Sequence, residues 1–323
     1  MHISILLPEG NISVSNLEAT YKMFTMANDV LINSGKKPKF KVQMVAVNSS
    51  NKSGNGIFHI KPDVSIQELD QTDLIIIPAV HGSYKKIVEA NKEFIPWMID
   101  QNNKGTEIAS LCIGAFILAS SGLLDGKDCA THWMAADEFK SMFPLVQLRD
   151  DKIITDENGI YTSGGAYSSL NLNLYLIEKF AGREMAIRHS KIFEIDINRN
   201  SQSPFIIFNT QKLHDDELVR EAQLYIEKNY YEEITVREIC SQFNIGRRTF
   251  ERRFLKACNN TAIEYLQRVR IEAAKKLLES SRPMVSEVML HVGYSDATAF
   301  RKVFNRITGM TPSAYQKRYE RIY

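Results

Sequence analysis

The first two hundred residues alternate short apolar runs with amphipathic segments. Ile3 to Leu7 reads as a buried strand ended by Pro8, and Leu17 to Asn33 has helical spacing that stops at Gly35. Val42 to Val47 and the wholly apolar Leu74 to Ile77 read as further strands. Ile108 to Leu111 is another strand, running into a helix from about Gly114 to Ser121. Ile160 to Ser163 and Ser169 to Ala181 supply a later strand and helix. Fully apolar strands alternating with helices imply an α/β domain: a mostly parallel sheet with helices on both faces, in flavodoxin-like layers.

The pattern changes after residue 188. Residues 189–212 lack a clear period and carry Asn, Ser and Pro, which suggests a connector, in part a strand. From about Asp215 onward the spacing is helical throughout. The expected division is 1–188, a connector at 189–212, and an all-α domain at 213–323, the boundary itself lying near 200–212.

An internal repeat dominates the helical part. Phe250 matches Phe300, Phe254 matches Phe304, Arg252 matches Lys302, Lys256 matches Arg306, Thr261 matches Thr311 and Tyr265 matches Tyr315, all at an offset of 50. Upstream the offset is 49, pairing Ile239 with Val288 and Phe243 with Val292. Each copy reads as a short helix, a tight turn and a longer helix. Thr235 and Glu238 have capping-box spacing, Asn244 to Gly246 makes the first turn, and the next helix starts near Arg247. In the second copy Gly293 allows the turn and Asp296 can cap the helix holding Phe300 and Phe304. Ile263 to Leu278 forms a long amphipathic helix between them.

Charge sharpens this picture. Residues 1–210 hold 20 Lys and Arg against 23 Asp and Glu, but from Asn244 to the end the count is 16 against 7. A basic segment of that kind suits an anionic polymer, or is a solvated basic face. With Phe250 and Phe254 inward, Arg247, Arg248, Glu251 and Arg252 face outward. The matching outward set is Ala297, Thr298, Arg301 and Lys302. Arg can pair with guanine, and Ala or a Thr methyl can meet a thymine methyl. A helix roughly 10–12 Å wide fits the major groove of double-stranded DNA. The alternative is a helical bundle with a basic exterior.

The four cysteines show no paired spacing, so no metal site, cofactor or disulfide framework is expected. The start lacks the pattern of a signal peptide, and the longest apolar stretch, Ile108 to Ala119, falls short of a membrane span. A cytoplasmic protein without membrane contact is expected. Cys112 lies between an apolar strand and a helix, a turn that exposes a nucleophile beside helix N-terminal amides, which lower a thiol pKa. His132 follows in Ala-Thr-His-Trp, and a cysteine and a histidine are the residue types of a nucleophile–base pair. The plain alternatives are a buried small residue and a structural histidine.

The stretch from Ile234 to Tyr319 resembles the AraC/XylS-type DNA-binding domain, in RRTFERRF, the helix from Arg270, Val292-Gly-Tyr-Ser-Asp and Gly309-Met-Thr-Pro-Ser-Ala-Tyr. It departs at Gly246, where that family often has Ser, and at Met289, often Ala. The resemblance implies that both second helices enter successive major grooves. Residues 1 to about 185 resemble the PfpI/ThiJ superfamily, with its class I glutamine amidotransferase-like fold, in Leu74-Ile-Ile-Ile-Pro, Ser110-Leu-Cys-Ile-Gly-Ala, Ala130-Thr-His-Trp and Tyr161-Thr-Ser-Gly-Gly. Together they resemble the GlxA-type group of AraC regulators. The superfamily implies an acid facing Cys112, where this chain has Asn16, with Glu18 near. Its paired glycines after the third strand read Ala79-Val-His81-Gly82, and the histidine after the cysteine in protease-like relatives is Ile113. The expected function is a sequence-specific transcription regulator, not an enzyme. The resemblance further implies a small-molecule effector and a homodimer through the N-terminal domain. The other reading is a cysteine-dependent amidase, protease or aldehyde-handling enzyme fused to a DNA-binding domain. An architectural DNA binder without sequence choice fits two recognition helices poorly.

Overall fold

The computed structural model describes residues 1–48, 53–54 (backbone alone), 58–212, 214–280 and 283–319. They form two units, Met1–Gln202 and Ser203–Tyr323.

The first unit is built on a seven-stranded sheet. In sheet order its strands are Ile154–Glu157, Ile160–Ser163, Glu107–Ser110, Leu74–Ile77, His2–Leu6, Lys41–Ala46 and Val64–Ser65. Every pairing is parallel except that of the first two. Leu74 to Ile77 occupy the middle and are all 0% exposed, which is why their run has no polar alternation. The helices are α1 (Val14–Asn33), α2 (Tyr84–Ala90), α3 (Phe94–Asn103), α4 (Ala115–Ala119), α5 (Ala136–Met142), α6 (Ser168–Ala181) and α7 (Arg183–Ile192). The edge hairpin turns at Asn158 and Gly159, both at positive φ (55° and 86°). Asn-Gly suits the two-residue turn whose twist matches its strands. The strand Ile154–Glu157 and α7 were not expected from periodicity.

The connector expected at 189–212 is divided between the units. Helix α7 runs to Ile192, and His189 is 0% exposed, one ring nitrogen 2.9 Å from the Met185 carbonyl and the other 3.0 Å from that of Met23. The Gln202 amide donates to the carbonyls of Thr131 and Lys152, and its oxygen accepts from Gly165 N–H. Buried polar groups with committed partners hold 189–202 on the first unit. Residues 203–212 belong to the second, and the expected strand is absent among these described residues apart from one bridge, Lys152 to Ser201.

The second unit is helical: α8 (Glu217–Asn229), α9 (Val236–Gln242), α10 (Arg247–Cys258), α11 (Ala262–Ser280), α12 (Val285–His291), α13 (Ala297–Thr308) and α14 (Pro312–Tyr319). It has two cores, one around Phe250, Phe254 and Tyr265 and one around Phe300, Phe304 and Tyr315. Long helix α11 contributes to both.

Candidate functional site

Helix α9 starts where its capping box closes. Thr235 N–H donates to Glu238 at 2.8 Å, and Glu238 N–H donates to the Thr235 hydroxyl at 3.2 Å. The turn passes through Asn244 at φ 48°, and α10 begins at Arg247. Phe250, Phe254 and Cys258, spaced by four, are buried, so Arg247, Arg248 and Arg252 are left exposed. Glu251 is half-buried and accepts from Arg247 Nε at 2.9 Å.

The second copy repeats the plan. Gly293 makes the turn at φ 82°, and a Cβ there would lie 2.8 Å from the Tyr231 carbonyl. Asp296 caps α13, accepting from Thr298 N–H at 2.6 Å and Ala299 N–H at 3.2 Å. Phe300, Phe304 and Thr308 are buried; Ala297, Thr298, Arg301 and Lys302 are exposed. The cores correspond ring by ring. Phe254 meets Tyr265 edge-on at 5.5 Å and 78°, and Phe304 meets Tyr315 at 5.5 Å and 79°. Each tyrosine hydroxyl donates to a glutamate, Glu227 or Glu279.

Arg270, halfway along α11, ties the copies together. Its guanidinium donates to the carbonyls of Tyr230 and Glu232 at 2.7 Å each and lies over the Tyr294 ring. The result is two exposed basic helices, each backed by its own aromatic core and joined through one long helix. Such a surface can offer cations to phosphates and side chains to base edges.

In the first unit Cys112 occupies an elbow. Its φ of 54° lies in the left-handed region, which non-glycine residues seldom adopt. Gly114 lets the elbow close on the strand Leu74–Ile77, since a Cβ there would sit 2.6 Å from the Ile77 carbonyl. Cys112 N–H donates to the Ser163 hydroxyl, and the Thr131 hydroxyl donates to the Cys112 carbonyl. The expectation of a lowered thiol pKa is overturned. Burial, with 4% exposure, pushes the Cys112 thiol up, against weaker opposing hydrogen bonds from the amides of Ala166 and Ile113.

The other expected pocket residues differ in their surroundings. Asn16 is buried, and both ends of its amide are engaged, Nδ2 with the Ser169 hydroxyl and Oδ1 with Ala79 N–H. It ties α1 and α6 to the loop beneath the elbow. Glu18 is exposed on α1, on a different side of the helix from the buried Asn16, Leu17 and Thr20. His81 is exposed in the short strand Val80–His81. His132 is half-buried with Nδ1 accepting from Met134 N–H, and burial, then the charge of His81, holds its pKa down. Gly165 packs on the His132 ring, leaving no room for a Cβ. Cys112 and His132 are thus brought to one region through Thr131, where burial raises the thiol and lowers the imidazole. Among the described residues, no cluster of His, Cys, Asp and Glu could hold a metal ion.

Residues 13–179 match the DJ-1/PfpI family and residues 239–318 match a helix-turn-helix domain. The first match takes in more than half of the chain, and the chain belongs to the DJ-1/PfpI family. Its second unit is a helix-turn-helix module of the AraC type, and this order of units is that of a class of DNA-binding transcriptional regulators. The transcriptional regulator GbdR of Pseudomonas aeruginosa is 24% identical over 303 residues, spanning 94% of this chain and 80% of that protein. The transcriptional regulator GlxA of Rhizobium meliloti is 25% identical over 215 residues, 66% of each chain. A solved ThiJ/PfpI family protein from Pseudomonas syringae shares the fold, with a TM-score of 0.50 at 18% identity over 70% of this chain and 86% of that one.

Proposed function

We propose that this protein regulates transcription by setting α10 and α13 into successive major grooves of a promoter. The observation that carries this reading is the duplication itself: two exposed basic helices, each braced by the same aromatic and tyrosine–glutamate arrangement. In this reading Arg248, Arg252, Arg301 and Lys302 contact DNA, while Ala297 and Thr298 meet thymine methyl groups. Arg247 and Glu251 act as a pair, since each engages the other. The first unit serves as the sensing or dimerisation part, for a small metabolite or a second copy of the chain. Signal and DNA then bias the same pair of domain arrangements reciprocally. The protein works at DNA in the cytoplasm. Enzymatic use of Cys112 is disfavoured by its neutral, buried thiol.

The test starts by mapping bound DNA across the genome and measuring affinity for a recovered site by fluorescence anisotropy. Arg252→Ala or Lys302→Ala is expected to weaken binding by about 1–3 kcal/mol if it reads a base. A lost phosphate contact instead lowers the salt slope by about 1. Affinity should fall steeply with salt as counterions are released. Wild-type affinity in both variants, or a flat salt response, would overturn the proposal.

A further inference from the structure

The segment that opens the second unit forms one wall of a cleft of about 350 Å³. The cleft is lined by Phe208 and Thr210 of that segment, by Val269, Ala273 and Leu277 along one face of α11, and by His291 of α12. Small-molecule sites begin near this size and combine an apolar lining with a few polar groups.

The polar groups divide sharply. Two carboxylates reach the cleft, and both are already neutralised. Glu227 accepts from Lys212 Nζ at 2.7 Å and from the Tyr265 hydroxyl at 2.6 Å. Glu272 accepts from Lys275 Nζ at 2.8 Å and from Phe208 N–H at 3.1 Å. Lys276 and His291, both exposed and both lining the cleft, have no partner among the described residues. The cleft therefore offers an apolar face with an uncommitted cation and an imidazole beside it and, among the described residues that line it, no free anion to oppose them.

We propose that this cleft binds a small amphipathic carboxylate, its apolar body on Val269, Ala273 and Leu277 and its head group at Lys276 and His291. A charge-assisted bond fixes the head group, and burial of the tail supplies most of the affinity. The site lies in the DNA-binding unit, apart from the Cys112 region. An occupant touches both the segment after residue 202 and the helix that precedes the second recognition helix.

Isothermal titration calorimetry on the full chain tests this, with nonanoate as the probe and nonanol and nonylammonium as controls of equal length. Nonanoate should bind saturably, and both controls at least tenfold more weakly, as expected when a bond to a charged group is lost. Lys276→Glu should weaken nonanoate at least tenfold, as should Ala273→Phe, which fills the cleft, while Cys112→Ser leaves it unchanged. Circular dichroism of each variant confirms that the helices remain. Absence of nonanoate binding, equal binding of nonylammonium, or wild-type binding by both cleft variants overturns the proposal. The titration reads ligand alone, so its failure leaves the DNA-binding proposal standing.

Discussion

Lys275 and Glu272 lie one turn apart on α11 with side chains only 5% and 15% exposed, and 2.8 Å separates ammonium from carboxylate. The ammonium also donates to the Ile206 carbonyl at 2.6 Å, and the carboxylate accepts from Phe208 N–H. A buried ion pair is expensive to desolvate, so this one is tolerated because every charge is met. Its consequence is a staple holding residues 206–208 to the helix shared by both helix-turn-helix copies. Lys275→Met leaves Glu272 buried without its cation and should cost about 3–5 kcal/mol. Urea unfolding followed by circular dichroism measures this. An unchanged midpoint would mean that the pair holds nothing in place.

Asp216 and Arg253 pin α8 to α10 through two hydrogen bonds, of 2.6 and 2.8 Å. The Arg253 hydrogen bonds hold the Asp216 carboxyl below its ordinary range. A carboxylate lowered on folding stabilises above its unfolded pKa, near 4, and that stability is lost as the pH falls through the folded value. Both side chains are partly exposed, so Arg253→Ala should cost only about 1 kcal/mol at pH 7. The gap from wild type should shrink as the pH drops below about 4. A gap of constant size in acid would show that packing, not charge, makes the contact.

The two recognition helices begin differently. Asp296 caps α13, whereas Gly246 gives α10 no side-chain cap. Asp296→Ala should lower stability by about 1 kcal/mol. Gly246 has φ −65° and ψ 135°, extended backbone that any residue adopts, and its Cβ position is open. Gly246→Ser should therefore raise stability by a few tenths of a kcal/mol. Melting temperatures that move in the opposite directions would contradict this reading of the caps.

Cys112 should be a slow nucleophile. Its thiol is raised by burial, and Cys129 is pushed up to about 12 by the same cause. Alkylation by iodoacetamide, followed by mass spectrometry, should accelerate only above the pH at which a free cysteine reacts. A midpoint below about 8 would mean a stabilised thiolate, and would reopen catalysis at the elbow.

Much of the architecture was readable along the chain. The 50-residue repeat places the buried aromatics, and four-residue spacing then decides which basic side chains stay outside. Local signals were reliable where the physics is local. Thr235 and Glu238 form the expected capping box, Asp296 caps its helix, and Gly293 takes the turn. The edge hairpin is marked in the sequence only by its Asn158-Gly159 turn, because the strand before it, Ile-Thr-Asp-Glu, is too polar to resemble a buried one.

What the sequence determined by itself was therefore periodic or local: the parallel core strands, the duplicated helix-turn-helix and its outward faces. Tertiary structure decided what depends on distant neighbours. Residues 189–202 have no period, yet His189 and Gln202 find buried partners up to 166 residues away and become part of the first unit. Adjacency along α1 says nothing of exposure, and only folding buries Asn16 while leaving Glu18 in solvent. The amides at the elbow do point at Cys112, as its place in the chain suggests, but the sign of its pKa shift is set by desolvation, and how deeply a thiol is buried is a property of the packed fold.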